Sequence, residues 1–497
     1  MVSMEKSMSK KIQRIHQCDS DGRQNDFVVV NMDGALLVER NPFAYFSLVA
    51  FDVGGILRFF ILVLVSPFAL FFYHMVSESL GIKVLVFATF FGVRVSEIKS
   101  AARVVLPKFY SEDLHPKTWS VFSSCRKKCV VTATPRIMVE PFLKDYLGAD
   151  VVLGTEISSY KGFATGFVAN TGVLVGRKKA IALRKEMSDE SMPNIGIGSS
   201  DLDFPFMELC KEMYIVPSSQ KVQPLKPSTL PKPVVFHDGR LVCRPTPSKA
   251  LLLILWFPIG LSLSLIRAFF VCVLPLTLTL KTLNLLGCPI IIKGVQPKNL
   301  KSSSEQNGVV FICNHRTLLD PIYVSACLGE STPAITYSLS SFSEIMSPIK
   351  TYRATRDRAK DAKLMQTLLS HGCFVMSPEG TTCREPYLLR FSKLFAELTD
   401  EIAPVAINVR VSMFYGTTAR GHKWLDWLFF FMNPKPIYEV TFLNKLPRHQ
   451  SCHGGKSSQE VANGVQEMIA KVLNFQCTNL TRKDKYQLLN GTNGFVN

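Results

Sequence analysis

The sequence lacks the features that mark several common classes of protein. Residues 1–26 are polar and contain no apolar stretch of the kind found in secretory signal peptides. The 13 cysteines are odd in number and follow no repeating spacing, which indicates reduced core residues and not a disulfide framework. No Gly-x-Ser-x-Gly motif presents a serine nucleophile. We therefore expect neither a disulfide-stapled secreted domain nor a serine acyl-enzyme.

Acidic residues are also scarce. Only 39 Asp and Glu balance 57 Lys and Arg, which gives a formal net charge of +18. The mean hydropathy of +0.18 is high for a basic soluble protein. No long Lys/Arg tract, zinc-finger pattern or RNP-type motif is present, so nucleic acid is not an expected partner. A chain that is both basic and apolar favours contact with an anionic membrane surface.

The length of 497 residues predicts at least two domains. Strand patterns alternate with helical stretches in two regions, which predicts two α/β domains. The first covers residues 27–217 and contains a membrane-associated apolar insertion at about 56–93. A proline-rich linker is predicted at 218–247, because its prolines disfavour regular structure. Membrane-embedded helices at 248–286 and a second α/β domain at 287–475 complete the predicted order.

The apolar segments differ in what their lengths allow. Residues 59–73 are uncharged and border on the length needed to span a bilayer, so a span and a half-inserted helix are both open. The stretch 84–93 is too short to cross. Apolar runs at 250–266 and 268–280 are separated only by Arg267. Together they suit a tilted span with an interfacial piece or a membrane hairpin, and a buried soluble hairpin is the alternative.

Two further strands are predicted from short apolar runs. Residues 172–176 resemble a strand followed by a basic turn. Residues 402–407 contain Pro404 near their start, as an edge strand or the beginning of a strand can.

A histidine follows a predicted buried strand, which is where α/β folds place their chemistry. The strand covers 309–313, His315 comes two residues later, and Asp320 follows after five more. At this spacing the carboxylate can hydrogen-bond the imidazole, fix its tautomer and raise its basicity. A second buried strand, 373–377, opens directly into the loop 378–381. The two loops predict a general base in a strand-end site, and a His–Asp pair that only caps a helix is the alternative.

Packing of an apolar core does not account for the arginines around these loops. Arg353 and Arg356 lie between the two strands, and Arg384 follows the second loop. Guanidinium groups bind phosphate through paired hydrogen bonds, so we take these three as candidate phosphate contacts. A surface ion pair is the alternative for each.

The order His-x4-Asp, arginine cluster, Glu-Gly-Thr and apolar-Pro over about residues 309–410 resembles the four blocks of the glycerolipid acyltransferases. The longer strings at 314–320 and 377–391 resemble the plant glycerol-3-phosphate sn-2-acyltransferases of cutin and suberin synthesis. This resemblance implies direct transfer from acyl-CoA, with His315 deprotonating a glycerol hydroxyl and Asp320 holding the imidazole. It also implies an acceptor pocket and no cofactor besides the acyl-CoA co-substrate. The implied pocket residues are Glu379, Gly380 and Thr381.

Residues 28–37 resemble the first motif of haloacid-dehalogenase-type phosphatases, so the first domain is expected to have that Rossmann-type fold. Asn31 replaces the aspartate that takes the phosphoryl group, and Ser199 replaces a carboxylate of the fourth motif. An amide is a poor nucleophile, and the two changes remove charge from a magnesium site. The resemblance therefore implies a domain without metal or phosphatase activity. The matching positions are Asn31, Asp33, Thr132, Lys178 or Lys179, Ser199 and Asp203.

These observations predict an acyl-CoA:glycerol-3-phosphate 2-O-acyltransferase that releases lysophosphatidic acid with its phosphate retained. Its expected partners are glycerol-3-phosphate, acyl-CoA and membrane lipid, and the sequence carries no signal for an oligomeric state. Three alternatives stay open: a lysophospholipid acyltransferase, a bifunctional acyltransferase-phosphatase giving 2-monoacylglycerol, and a silent membrane scaffold. The expected location is the endoplasmic reticulum membrane with the catalytic domains in the cytosol, and a mitochondrial membrane is the alternative.

Overall fold

The computed structural model describes residues 12–187, 192–217, 222–295, 308–337 and 344–492, and the chain divides into two units. Unit 1 comprises Met1–Gly239 and Arg244–Ile254, and unit 2 comprises Arg240–Cys243 and Leu255–Asn497. Residues 222–239, which belong to the predicted linker, group with unit 1. Apart from a single 3-10 turn at Pro227–Thr229, they form no helix or strand, as their prolines favour.

Unit 1 is built on a six-stranded, fully parallel sheet in the order β1-β8-β7-β2-β3-β4. Strands β2, β3 and β7 are almost entirely buried, which explains their continuous apolar sequences. A separate antiparallel hairpin is formed by β5 and β6. The strands are β1 (Gln13–Arg14), β2 (Phe27–Asn31), β3 (Lys127–Pro135), β4 (Val151–Thr155), β5 (Ile157–Tyr160), β6 (Phe163–Val168), β7 (Ile195–Gly198) and β8 (Glu212–Ile215).

The strand predicted at 172–176 is absent. Gly172 and Gly176 have φ angles of +72° and +56°, and this left-handed backbone at both ends is incompatible with an extended strand. The segment instead leads irregularly into helix α7. The helices of unit 1 are α1 (Phe43–Phe71), α2 (Glu78–Phe90), α3 (Val95–Val104), α4 (Leu106–Ser111), α5 (Pro116–Ser124), α6 (Arg136–Asp145), α7 (Arg177–Glu186) and α8 (Phe204–Met207).

Helix α1 is divided by Gly55, whose φ of +59° interrupts the helical backbone. Residues before this break are mostly buried in unit 1, whereas many after it are exposed. The break therefore lies where helix α1 changes from a mostly buried to a largely exposed segment.

Unit 2 contains a seven-stranded mixed sheet in the order β12-β11-β13-β10-β15-β16-β9. Only the β15–β16 pair is antiparallel. Strand β15 pairs on both sides, so the edge-strand interpretation of its proline was wrong: Pro404 lies near the start of an internal strand. The strands are β9 (Ile290–Gly294), β10 (Val310–Cys313), β11 (Ala334–Thr336), β12 (Thr351–Arg353), β13 (Phe374–Met376), β14 (Tyr387–Leu388), β15 (Ile402–Arg410), β16 (Ile437–Phe442) and β17 (Gln476–Cys477).

Arg267 does not divide the second apolar region. Helix α9 (Pro247–Val273) runs through it, and the chain breaks only before Pro275, after which α10 (Leu276–Leu285) begins. The buried Arg267 guanidinium donates to backbone carbonyls, including those of Leu286 (2.6 Å) and Asn433 (2.7 Å). The other helices of unit 2 are α11 (Asp320–Leu328), α12 (Arg358–His371), α13 (Leu394–Leu398), α14 (Asp426–Phe431), α15 (Ser458–Leu473) and α16 (Arg482–Asn490).

Helices α1 and α9 are both long and apolar enough to cross a membrane, with mean hydropathies of 2.4 and 2.0 in their most apolar windows. Only 33% and 22% of those windows is buried. A helix in the core of a soluble protein would be mostly covered, so the two helices favour membrane association.

Candidate active site

The loop of unit 2 that is predicted to be catalytic connects strand β10 to helix α11. Its first residue, Asn314, uses its side-chain amide to accept from the Ile407 amide (2.7 Å) and donate to the Ile407 carbonyl (2.9 Å). The Asn314 side chain thereby bonds to strand β15 just beyond the last backbone pair between β10 and β15, Cys313 and Val405. It fixes where the chain leaves the sheet, and therefore where His315 begins.

His315 and Asp320 meet as the sequence predicts. The distance between His315 Nδ1 and Asp320 Oδ2 is 2.9 Å. Because an ionised carboxylate only accepts, Nδ1 carries the proton and Nε2 keeps its lone pair. Within the described residues, Nε2 has no hydrogen-bond partner, and the side chain lies at the wall of a cavity. The arrangement suits Nε2 to accept a proton from a bound alcohol.

Asp320 is fully buried, and its two oxygens are held by several donors. Oδ2 also accepts from the amides of Arg316 (2.6 Å) and Thr317 (3.0 Å). Oδ1 accepts from the Thr317 hydroxyl (3.1 Å) and from the Tyr438 hydroxyl. Burial, followed by the charge of Asp320, raises the pKa of Tyr438 well above its ordinary value, which keeps that donor protonated. Asp320 thus has one orientation, and it is the one that holds the imidazole.

Glu379 acts on the catalytic loop through the backbone. Its Oε1 accepts from the His315 amide (2.8 Å) and its Oε2 accepts from the Leu389 amide (3.0 Å). Burial raises the pKa of Glu379 to about 7. With both oxygens occupied, its carboxylate ties the two loops together and does not lie free in the acceptor pocket. Gly380 and Thr381, by contrast, line the cavity in front of His315.

Arg316, which the sequence analysis did not single out, connects the same loops. Its guanidinium donates to the carbonyls of Cys383 (2.6 Å), Glu385 (2.7 Å) and Arg384 (2.8 Å). The Cys383 amide donates back to the His315 carbonyl (2.7 Å). The signal that could have found Arg316 is its position inside the His-x4-Asp motif, directly after His315.

The cavity at whose wall His315 lies is lined by three basic residues and one carboxylate, Asp426. Of the three predicted arginines, only Arg356 lines it. Arg353 forms an ion pair with Glu344 (2.9 Å) and is exposed. Arg384 donates to the Thr417 carbonyl and lies over a tyrosine ring. The structure therefore does not bring Arg353 and Arg384 to this cavity.

Two cations that the sequence analysis missed take their place. Lys423 and Arg482 line the cavity with Arg356. Burial, together with the charge of Arg356, lowers the pKa of Arg482. Burial alone would raise the pKa of Tyr486, but the nearby Lys423 ammonium, 2.6 Å from its hydroxyl, lowers it. Arg482 begins helix α16, beyond the predicted domain end at 475, which is why the four-block pattern could not find it.

An apolar cavity adjoins this site. Leu318 and Pro321 of the catalytic loop and helix α11 line both cavities. Val271 of helix α9 and Phe431 of helix α14 lie farther along the apolar one. A charged cavity and an apolar cavity therefore meet beside His315.

Unit 1 brings most of the phosphatase-like positions together at the ends of strands β2, β3 and β7. Lys179 donates to Asn31 Oδ1 (3.0 Å) and forms a buried ion pair with Asp203 Oδ1 (2.7 Å). The Asn31 amide donates to Ser199 Oγ (3.1 Å) and Asp203 Oδ2 (3.1 Å). These four side chains satisfy one another.

The remaining phosphatase-like positions differ in their contacts: they are Asp33, Thr132 and Lys178. The hydroxyl of Thr132 donates to Asp33 Oδ2 (2.6 Å), and burial raises the pKa of Asp33. Lys179, and not Lys178, occupies the position of the basic third motif. Lys178 is exposed and lines a different cavity of unit 1, because adjacent residues of helix α7 point about 100° apart.

A strand-end His–Asp pair beside joined charged and apolar cavities defines an acyltransferase, and the comparisons agree. A model of the family "Acyltransferase" matches residues 294–409. A model described as "Glycerol-3-phosphate acyltransferase RAM2-like, HAD-like domain" matches residues 27–216. The chain belongs to the RAM2-like glycerol-3-phosphate acyltransferase family, in which a haloacid-dehalogenase-like domain precedes an acyltransferase domain.

Three relatives illustrate how far the similarity extends. Glycerol-3-phosphate acyltransferase RAM2 of Petunia hybrida is 59% identical, over 94% of this chain and 97% of its own length. Glycerol-3-phosphate acyltransferase 1 of Arabidopsis thaliana is 43% identical, over 96% of this chain and 83% of its own. The lipid droplet-regulating VLDL assembly factor AUP1 of Xenopus tropicalis is 28% identical over only 51% of this chain and 64% of its own.

Proposed function

We propose that this chain transfers an acyl group from acyl-CoA to the 2-hydroxyl of glycerol-3-phosphate. The single observation that carries the proposal is the His315–Asp320 pair, 2.9 Å apart, at the wall of a cavity lined with cations. In this mechanism, Nε2 of His315 takes the hydroxyl proton while the alcohol oxygen attacks the thioester carbonyl. The C–S bond then breaks, and the imidazolium returns its proton to the departing CoA thiolate. No acyl-enzyme and no further cofactor take part.

The acceptor's phosphate is assigned to Arg356, Lys423 and Arg482. Three half-buried cations line one cavity together with a buried carboxylate, Asp426, which pairs with Arg240 (2.7 Å). The wall therefore keeps a net positive charge that a dianionic phosphate balances. Gly380 and Thr381 border the same space, so they can contact the glycerol part. A lysophospholipid acceptor would need to place a second acyl chain here, where these charged groups line the wall. This observation favours glycerol-3-phosphate over that alternative.

The acyl chain of the donor is assigned to the adjoining apolar cavity. Its lining by Leu318 and Pro321 continues from the charged cavity, so a thioester at His315 can extend its chain past them toward Val271 and Phe431. Each buried methylene contributes about 0.8 kcal/mol, which favours a donor with a long chain.

Unit 1 is proposed to leave the product phosphate intact. Asn31 cannot form an acyl-phosphate, and its amide is already engaged by Ser199 and Asp203. Lys179 takes the remaining charge of Asp203. The expected product is therefore lysophosphatidic acid, which the cutin and suberin branch or glycerolipid synthesis can use.

The proposed location is the endoplasmic reticulum membrane, with both units on the cytosolic side. The exposed apolar faces of helices α1 and α9 support a membrane location. Acyl-CoA is supplied on the cytosolic face, which supports the orientation. Protease protection in intact microsomes tests it: both units should be digested without detergent.

Labelled glycerol-3-phosphate and a long-chain acyl-CoA, given to the purified full chain, test the reaction. We expect 2-acyl lysophosphatidic acid, and a fall of about 10²–10⁴-fold in turnover for His315→Ala. His371→Ala, a substitution of an exposed histidine at the end of helix α12, is the matched control and should keep full activity. Turnover by His315→Ala equal to that of the control would remove His315 as the base. With the label on the phosphate, release of labelled inorganic phosphate would instead show an active phosphatase.

A further inference from the structure

Unit 1 contains a large groove that the acyl-transfer chemistry does not use. Its volume is about 850 Å³, and it lies between helix α1 after the Gly55 break, helix α2 and the β5–β6 hairpin. Much of its wall is apolar and solvent-exposed. The apolar side chains concerned include Leu57, Ile61, Phe87, Phe91 and Phe167, each between 44% and 69% exposed.

The groove is a preformed feature, because the hairpin is joined to the end of helix α2 by backbone hydrogen bonds. The Gly92 amide donates to the Ala164 carbonyl (2.9 Å), and the Ala164 amide donates to the Val93 carbonyl (2.8 Å). The rings of Phe87 and Phe167 are 5.7 Å apart. The apolar wall is therefore held in place without a ligand.

Three cations line the same groove: Arg58, Lys83 and Lys178. Arg58 donates through Nη1 to the carbonyls of Thr89 (3.1 Å) and Phe91 (3.0 Å), which places it at the end of helix α2. Lys83 and Lys178 are exposed, and within the described residues neither has an ion-pair partner. Positive charge beside apolar surface, with no carboxylate among the described residues that line the groove, matches a ligand that has an anionic head and an apolar chain.

The position of Lys178 supports an external anion. It is the second residue of helix α7, where the helix dipole disfavours a positive charge, and no acidic residue lies in that first turn. Its ammonium lies over Gly172, where a Cβ atom would be only 2.0 Å from Nζ. Lys178 thus stands in an electrostatically unfavourable place, and a bound anion removes that disadvantage.

We propose that this groove binds an anionic glycerophospholipid of the surrounding membrane, with its phosphate at Lys83, Lys178 and Arg58. One acyl chain lies along the apolar wall formed by helices α1 and α2 and the hairpin. The exposed apolar face of helix α1 continues from Leu57 to Leu64 and Phe68, so the groove opens beside the segment that contacts lipid. A free phosphate would leave the apolar wall in water, and a zwitterionic lipid would not balance the two lysines. The proposal does not depend on the acyl-transfer reaction.

The test measures binding of dioctanoyl phosphatidic acid to the full chain in a neutral maltoside detergent. We expect Lys83→Gln/Lys178→Gln to weaken binding by at least about tenfold, since charge-assisted hydrogen bonds to phosphate are lost. The matched control, Lys185→Gln/Lys211→Gln, removes two exposed lysines of unit 1 outside the groove and should change affinity by less than about twofold. Dioctanoyl phosphatidylcholine should bind the unchanged chain at least about tenfold more weakly, and inorganic phosphate should not compete.

Equal weakening in both lysine pairs would overturn the proposal, because it would show only general attraction to a basic chain. Equal affinity for phosphatidylcholine would overturn it as well. If the groove variant melts at a lower temperature than the control, its weaker binding could come from unfolding. The unchanged chain is then cross-linked to photoactivatable phosphatidic acid in phosphatidylcholine nanodiscs. Cross-links are expected in residues 57–65, 83–91 and 166–178, and cross-links confined to other segments would refute the site.

Discussion

Replacing Asp320 by Asn separates the charge of the carboxylate from its shape. The structure allows the amide oxygen to occupy the position of Oδ2, where it can still accept from His315 Nδ1 and from two backbone amides. The NH₂ group then occupies the position of Oδ1, where the hydroxyls of Thr317 and Tyr438 can rotate and accept from it. The tautomer that leaves Nε2 unprotonated is therefore kept. The losses are the negative charge and the Oδ1 half of the bond that the Thr317 amide shares between the two oxygens.

The size of the effect follows from that difference. A hydrogen bond to a charged group contributes about 1.5–3 kcal/mol, and one between neutral groups about 0.5–1.5 kcal/mol. Losing about 1–2 kcal/mol of support for the imidazolium lowers turnover by about 5–30-fold. That is less than the about 10²–10⁴-fold expected when the base is removed. The Michaelis constant for glycerol-3-phosphate should change little, because Asp320 is fully buried behind the histidine.

A second substitution tests whether Tyr438 decides how the amide is turned. In Tyr438→Phe alone, Oδ1 keeps its bonds from Thr317, so turnover should fall by no more than about threefold. In Asp320→Asn/Tyr438→Phe, the NH₂ group keeps the Thr317 hydroxyl as an acceptor. It cannot turn toward His315, because the amides of Arg316 and Thr317 donate to that position. The effects of the two substitutions on turnover should therefore multiply.

Steady-state turnover of the four proteins, with melting temperatures to check folding, measures this coupling. The double variant should match the product of the two single effects to within about threefold. A double variant about tenfold or more below that product would show that the amide reverses and moves the proton to Nε2, and a single Asp320→Asn variant at full turnover would make Asp320 a helix cap only.

Three further predictions concern the phosphate site, the buried acid and the silent domain. Arg482→Gln should raise the Michaelis constant for glycerol-3-phosphate by about tenfold or more but leave that for acyl-CoA nearly unchanged, whereas Arg353→Gln, outside the cavity, should leave both within about twofold. The pKa of Glu379 is about 7 in the folded chain, against an ordinary value of 4.5. Between these pH values the folded chain holds a proton that the unfolded chain has lost, so the free energy of unfolding should fall as pH rises through them. Glu379→Gln should flatten that slope in urea unfolding. Asn31→Asp/Ser199→Asp should acquire magnesium-dependent phosphate release that neither single change gives; phosphate release by the unmodified chain would contradict the remnant interpretation.

Local pattern was sufficient for the strand-end loops. Continuous apolar runs predicted β2, β3, β10 and β13, and the polar residues that follow each strand meet in the structure because parallel strands end at one edge of a sheet. The His315–Asp320 bond is local in sequence, so spacing alone could predict it.

Contacts between distant segments were beyond that pattern. Lys423 and Arg482 reach the cavity from chain that follows the four motif blocks, and nothing in their neighbours distinguishes them from surface cations. Arg384 looked equivalent to them, yet its guanidinium is used on a backbone carbonyl. The choice between Lys178 and Lys179 depends on which face of helix α7 is buried, and two adjacent lysines carry no apolar periodicity that would show it.

The phosphatase-like positions of unit 1 form a hydrogen-bonded network that holds the strand ends together. Its buried Asp203 would be costly to leave unpaired, since an isolated charge in the interior is strongly destabilising. Lys179 neutralises it at 2.7 Å, and the Asn31 amide donates to both Ser199 and Asp203. Asn31 and Ser199 therefore each supply a hydrogen bond at a position where a carboxylate would bring a negative charge for a metal to balance. A network closed in this way can hold the ends of three parallel strands together with no bound ion.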